Sequence, residues 1–328
     1  MREVRAAAGP LRSAAFLAAL LAGCGRGGPR FDLVLRLPAA PTSLCRLGDA
    51  VWVGSSQGLT RIPAGAGSNG GAETFGDAAG LAGPLANVRW VGSVDGDLIL
   101  ATGGGVARFS PSRRVVVRAW TAKEGLGHDS VRWAGSANGA VWAGTIRGAS
   151  RLLPGGRRWR NYGAADGLPQ THVYRVFGDG KDLWASSING GLCRFDPRRD
   201  RWAAVPTEHA LGNKYIYAIG AGAEGLWLGT AGGVNLFATR TGRWDEVVCA
   251  DGFTDYCVYA VARAGGDLWF GTAYGLFRRS LASGRQERYG ARNGLPHDEI
   301  ADLFADGATL WIATAGGVAT TIVQSAAP

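Results

Sequence analysis

The chain has little methionine, little histidine and little lysine: one Met, four His and three Lys in 328 residues. Beyond the N-terminus few stretches carry helical apolar spacing, so strands and turns are expected over helices. No apolar run after residue 24 is long enough to span a bilayer as a helix. The histidines show no local ligand spacing such as His-x-x-x-His, which argues against a metal site. No Gly-x-Ser-x-Gly elbow is present, so no nucleophile motif stands out. What the chain does have is 46% apolar residues, 53 glycines and 12 tryptophans. It can bury a core, and turns cut it often.

The tryptophans sit in a repeat. The segments are Val51-Trp52-Val53-Gly54-Ser55, Leu98-Ile99-Leu100-Ala101-Thr102, Val141-Trp142-Ala143-Gly144-Thr145, Leu183-Trp184-Ala185-Ser186-Ser187, Leu226-Trp227-Leu228-Gly229-Thr230, Leu268-Trp269-Phe270-Gly271-Thr272 and Leu310-Trp311-Ile312-Ala313-Thr314. A glycine follows six positions after each Trp or Ile99: Gly58, Gly105, Gly148, Gly190, Gly233, Gly275 and Gly317. A period in the low forties with short strands predicts an all-β, seven-bladed β-propeller of four-stranded blades. In each blade a short apolar strand A, such as Val173–Val176, leads through a tight turn into the Trp strand B. Asp95-Gly96, Asn138-Gly139, Asp179-Gly180 and Asp306-Gly307 suit such turns, because they accept φ > 0. The tryptophans are read as wedges between blades and not as a ligand box.

The last repeat runs out before its strand D. The segment Phe31–Leu37 precedes the first strand A without a partner, so it is expected to complete blade 7 and close the ring.

Residues 1–23 differ from the rest. Arg2, Arg5 and Arg12 precede an apolar stretch, Ala14–Ala22, which leads into Leu21-Ala22-Gly23-Cys24. That tetrad resembles the lipobox of bacterial lipoproteins, and the resemblance implies cleavage before Cys24 and diacylation of its thiol. The domain reading is therefore a signal peptide over 1–23, a linker over 24–30 and the propeller over 31–328. The implied location is the cell envelope, on the periplasmic side of an outer membrane. Formal charge is +9, nearly all of it carried by Arg. Export argues against nucleic acid as the partner of that charge. Cys249 and Cys257 flank a short loop and are candidates for a disulfide; Cys45 and Cys193 read as buried thiols.

The loops before strand A carry a second signature: Glu124-Gly125-Leu126-Gly127, Asp166-Gly167-Leu168-Pro169, Asp251-Gly252-Phe253-Thr254 and Asn293-Gly294-Leu295-Pro296. Together with the Trp-x-Gly-Thr strands they resemble the two-component regulator propeller repeat. That resemblance spans 31–323 and implies an extracytoplasmic sensor domain. The chain carries no kinase or response-regulator segment of its own.

In such a ring the D–A and B–C loops share one face around the channel mouth. All four histidines, His128, His172, His209 and His297, fall in D–A loops. The candidate ligand-binding residues are His128, Arg132, His172, Tyr174, Tyr217, Asp255, Tyr259, His297, Asp298 and Glu299, with Arg89 at a matching strand start. Aromatic and polar groups together suit a small molecule, a glycan or a peptide. No catalytic residue, metal ligand or cofactor is assigned. The first reading is a non-catalytic binding module. A lyase or hydrolase would need His172, His297 and Glu299 to converge. An envelope scaffold would show a large apolar patch. The opposite face gathers arginines in C–D turns, including Arg113, Arg114, Arg157, Arg158, Arg198, Arg199, Arg201, Arg240, Arg243 and Arg285. With Cys24 tethered there, that face is expected to lie against anionic lipid.

Overall fold

A computed structural model describes residues 28–64, 70–207, 214–247 and 257–323. The leader, Cys24, His209, Cys249 and Asp255 lie outside the described residues.

The described chain is seven four-stranded antiparallel sheets, one per blade, with strands A to D in hydrogen-bonded order. The first strand, β1 (Asp32–Leu35), is set apart from blade 1. Blade 1 is β2 (Pro41–Leu47), β3 (Ala50–Ser55), β4 (Gly58–Pro63) and β5 (Glu73–Phe75). Blade 2 is β6 (Val88–Val94), β7 (Asp97–Thr102), β8 (Gly105–Ser110) and β9 (Val115–Trp120). Blade 3 is β10 (Val131–Ala137), β11 (Ala140–Thr145), β12 (Gly148–Leu152) and β13 (Trp159–Tyr162). Blade 4 is β14 (Val173–Gly178), β15 (Leu183–Ser187), β16 (Gly191–Asp196) and β17 (Arg201–Ala204). Blade 5 is β18 (Ile216–Gly222), β19 (Gly225–Thr230), β20 (Gly233–Ala238) and β21 (Arg243–Val247). Blade 6 is β22 (Val258–Ala264), β23 (Asp267–Thr272), β24 (Gly275–Ser280) and β25 (Gln286–Tyr289). Blade 7 is β26 (Ile300–Asp306), β27 (Thr309–Thr314) and β28 (Gly317–Ile322), completed by β1.

β1 pairs antiparallel with β28, Asp32 opposite Thr320 and Leu35 opposite Val318. The ring is therefore closed by the first strand of the described chain, as the missing strand D requires. Closure pairs an edge of blade 7 that would otherwise be open.

The strand-B tryptophans fill the wedges between blades. Trp142 is 2% exposed. Its ring lies 5.3 Å from Phe195 and 5.7 Å from Trp202, both in blade 4. Trp52 meets Phe109 of blade 2 at 5.7 Å, and Trp184 meets Phe237 of blade 5 at 5.8 Å. Blade 2 has Ile99 in place of Trp, and there Trp120 and Trp159 pack edge to face at 5.8 Å.

The rest of the repeat has equally local causes. A Cβ on Gly229 would stand 2.6 Å from the Val258 carbonyl oxygen of the next blade, so only glycine allows that approach. The Thr at the end of strand B spans the B–C turn: Thr145 Oγ1 donates to the Gly148 carbonyl (3.0 Å) and accepts from the Arg147 amide (3.1 Å). Blade 4 departs from the pattern. Its strand C begins at Gly191, opposite Ser187, so the turn is one residue longer and Asn189 takes the left-handed conformation. The structural counterpart of Gly148 is therefore Gly191, not Gly190. Of the four expected A–B turns, Asp95-Gly96 and Asn138-Gly139 have both residues at positive φ. In Asp179-Gly180 only Gly180 does, and the Asp179 carboxylate accepts from the Lys181 and Asp182 amides and from Trp184 Nε1.

Cys193 is buried and Cys45 is half-buried, with burial pushing the Cys45 thiol up to about 11 and the Cys193 thiol up to about 12. Cys257 is a free thiol whose Sγ points at the Ala231 carbonyl, 3.9 Å away. No helix among the described residues is long and apolar enough to cross a membrane.

Candidate functional site at the channel mouth

Strand A is the inner edge of every blade, and in all seven blades its start is irregular. The register shifts between Pro41 and Ser43, Val88 and Trp90, Val131 and Trp133, Val173 and Arg175, Ile216 and Ala218, Val258 and Ala260, and Ile300 and Asp302. A bulge adds one unpaired residue and re-aims its side chain. Here the added residues are Thr42, Arg89, Arg132, Tyr174, Tyr217, Tyr259 and Ala301. Arg89 and Arg132 are adjacent in the ring, and the three tyrosines occupy the next three blades. The first six of these residues, with Trp90, Trp133, Arg175, Glu299 and Ala301, line a cavity of about 380 Å³. That size is at the small end of ligand pockets.

Several of these side chains reach to the following blade. Thr42 Oγ1 donates to the Val88 carbonyl (2.8 Å). Arg89 Nη1 donates to Ser130 Oγ (2.8 Å) and to the Val131 carbonyl (3.3 Å). Arg132 Nε donates to His172 Nε2 (3.4 Å). Tyr174 packs on Tyr217 at 5.3 Å, and Tyr217 on Tyr259 at 5.5 Å. One layer deeper, Ser43 Oγ accepts from the Val91 amide (2.9 Å), and Asp302 Oδ2 accepts from the Leu44 amide across the 7–1 junction (2.8 Å). Arg175 lies over the Trp90 ring of blade 2, its Cζ 4.5 Å from the centroid.

Burial, and then the charge of Arg132, depresses Arg89 below its ordinary value. The same two causes lower His172, so its imidazole is neutral at neutral pH and accepts from Arg132. Burial raises the phenols of Tyr174 and Tyr217, and raises Tyr259 to about 12, so all three stay protonated donors. Asp302 is 5% exposed, and burial raises its carboxyl to about 6. Arg175 is lowered by burial, with the Asp302 charge opposing.

The sequence-predicted residues divide. Arg132, Tyr174, Tyr217, Tyr259 and Glu299 come together on the cavity wall. His128 and His297 serve their own loops: their Nδ1 atoms accept from the Ser130 amide (2.8 Å) and the Glu299 amide (3.0 Å). Asp298 Oδ1 accepts from the Ala291 amide (2.7 Å), as Asp129 Oδ1 does from the Ala122 amide (2.6 Å). His172 is bonded to Arg132 in blade 3, while His297 is bonded within the loop entering blade 7. No group of three His, Cys, Asp or Glu residues among the described residues is placed to hold a metal ion. Sequence reasoning missed Trp90, Trp133 and Arg175. The signal that could have found them is the fixed offset of one residue from the bulge position.

No family model matches the chain, and no curated protein matches it. Solved structures do. The extracellular domain of a putative hybrid two-component system from B. thetaiotaomicron is 19% identical with a TM-score of 0.75; the match covers 90% of this chain and 40% of that one. The chain thus spans well under half the length of that relative. Virginiamycin B lyase from Staphylococcus aureus is 18% identical with a TM-score of 0.68, covering 90% of this chain and 99% of that one. PorZ, a surface component of the type-IX secretion system of Porphyromonas gingivalis, is 16% identical with a TM-score of 0.63, covering 92% and 47%. At these identities the likeness establishes the fold alone: the chain is a seven-bladed β-propeller.

Proposed function

We propose that this protein is a non-catalytic, ligand-binding propeller of sensor type, exported and held at the cell envelope, with the channel mouth as its ligand site. The observation that carries the reading is the bulge common to all seven strand-A starts, which turns the Arg and Tyr side chains onto one cavity wall. Several of these side chains are held by contacts to the next blade, so little ordering is needed on binding. The likeness to two-component ectodomains supports the sensor reading. A thermal-shift screen with small molecules and glycans tests it, since ligands of the native state raise Tm by mass action. Hits should lose their effect in an Arg132→Gln/Tyr217→Ala variant; hits that keep it would place the site elsewhere.

The lipid anchor on Cys24 belongs to the same proposal. Strand D starts on the face of the C–D turns, so β1 brings the chain in on the side where Arg113, Arg157, Arg158, Arg198 and Arg240 are exposed. A lipid anchor and a basic face together hold a protein on anionic lipid better than either does alone. The mouth then faces away from the bilayer.

A second reading is a lyase, favoured by the near-complete coverage of virginiamycin B lyase. It requires a positioned base. His297 spends its Nδ1 on a backbone amide, and among the described residues Glu299 is the one carboxylate on the cavity wall. The binding reading fits this wall better.

A further inference from the structure

The mouth has a chemical polarity around its ring that points to a class of ligand. We propose that it takes a small carboxylate carried on a six-membered ring, with the carboxylate between Arg89 and Arg132 and the ring against Tyr174, Tyr217 and Tyr259. The inference rests on the reading of the mouth as a ligand site.

Three observations carry it. First, the wall is rich in donors. Among the described residues, three guanidiniums, from Arg89, Arg132 and Arg175, line the cavity against one carboxylate, Glu299. None of the three makes an ion pair at contact distance with a carboxylate among the described residues, although the Asp302 charge acts on Arg175; their contacts are to Ser130, Val131, His172 and the Trp90 ring. Arg175 Nε is buried without a hydrogen-bond partner there. A buried donor left unsatisfied is costly, so Arg175 adds to the excess of donors on this wall. Second, Arg89 and Arg132 stand at the bulged strand-A starts of adjacent blades on one cavity wall, and the Arg132 charge lowers Arg89. An anion placed between them relieves that repulsion. Both guanidiniums are anchored through one nitrogen, Nη1 of Arg89 and Nε of Arg132, which leaves other N–H groups to make the charge-assisted bonds a carboxylate takes. Third, the opposite arc offers faces and phenols. Tyr174, Tyr217 and Tyr259 pack in a row along three successive blades, the first pair edge to face and the second tilted, and stay protonated. Such an arc suits the face of a ring, whether an aromatic acid or a sugar acid, and its hydroxyls can bond to ring substituents. A cavity of about 380 Å³ holds one such ring with room for a substituent.

The test uses Trp90 and Trp133, which line the cavity, as reporters. Tryptophan fluorescence of the protein is titrated with benzoate against benzamide, and with glucuronate against glucose. The expected result is saturable binding of at least one acid, at least about tenfold tighter than its neutral partner. The preference should weaken with salt and vanish in Arg89→Gln/Arg132→Gln. Circular dichroism of that variant checks that the fold is kept. Benzoate or glucuronate alone as the binder tells an aromatic acid from a sugar acid. Equal affinity for acid and neutral partner, a preference that survives the double substitution, or no binding by either acid each overturns the proposal. Binding of glucose or benzamide that is lost in Tyr217→Ala would overturn the carboxylate assignment and leave the mouth standing as the ligand site.

Discussion

At the residue scale, single side chains hold the blades together, and the sequence shows this best. Trp142 packs within about 6 Å of three rings, Tyr162, Phe195 and Trp202. Trp142→Ala should lower the unfolding free energy by about 3–5 kcal/mol, read from denaturant midpoints. Gly229→Ala should cost about 1–3 kcal/mol, because its Cβ would meet a backbone oxygen of the next blade that cannot rotate away. Asp302 gives a pH signature. Its carboxyl is raised from 3.8 to about 6, so between those values the folded state binds more protons than the unfolded state. Stability from this group therefore falls as pH rises through that window. Measured against Asp302→Asn, the Tm of the native protein should decline from pH 4 to about pH 6 and then run parallel. A constant difference across the window would contradict the assignment. The tryptophans were legible because they recur. Arg175 and Asp302 were not, because a charge buried on a channel wall reads in sequence like any polar residue in a strand.

At the scale of elements, the loops before strand A show what His128 and His297 bond to. The Gly-Leu signature ends a short 3₁₀ turn: Gly125, Gly167 and Gly294 adopt left-handed φ, and Leu126, Leu168 and Leu295 are buried. The same turn precedes blade 2, at Asp77–Ala79 with Gly80 and Leu81, where the spacing hid it. Asp129 and Asp298 accept the first amide of their turns, and His128 and His297 accept the amide two residues on. These four polar residues were visible in sequence, but not their use, because an amide partner two to seven residues away leaves no motif. Asp129→Ala and Asp298→Ala should each lower stability by about 1 kcal/mol, as loss of a cap does, in the same denaturant assay. The strand-A bulge was equally silent. Arg89, Arg132, Tyr174, Tyr217 and Tyr259 are legible as strand starts, Thr42 and Ala301 are not, and the extra residue that turns them to the channel appears only in the register.

At the scale of the molecule, closure and orientation go together. The seven-fold count and the role of the N-terminal strand followed from the sequence, because a propeller with a missing strand D has one place to find it. Removing residues 1–37 should lower Tm and promote self-association, seen by light scattering, because β28 is left as an open edge. The same strand brings the chain in on the arginine-bearing face. Glutamate at positions 113, 157, 158, 198 and 240 in an unlipidated protein should abolish sedimentation with anionic vesicles; unchanged sedimentation would remove the basic face from the account.

The central claim is that the mouth binds a ligand without transforming it. Isothermal titration of a screened ligand into the native protein and into Arg132→Gln/Tyr217→Ala, followed by NMR of the recovered ligand, tests it most directly. The account predicts one-to-one binding to the native protein, loss of that binding in the variant, and ligand recovered unaltered. Binding that persists in the variant, or ligand that comes back cleaved or rearranged, would contradict it.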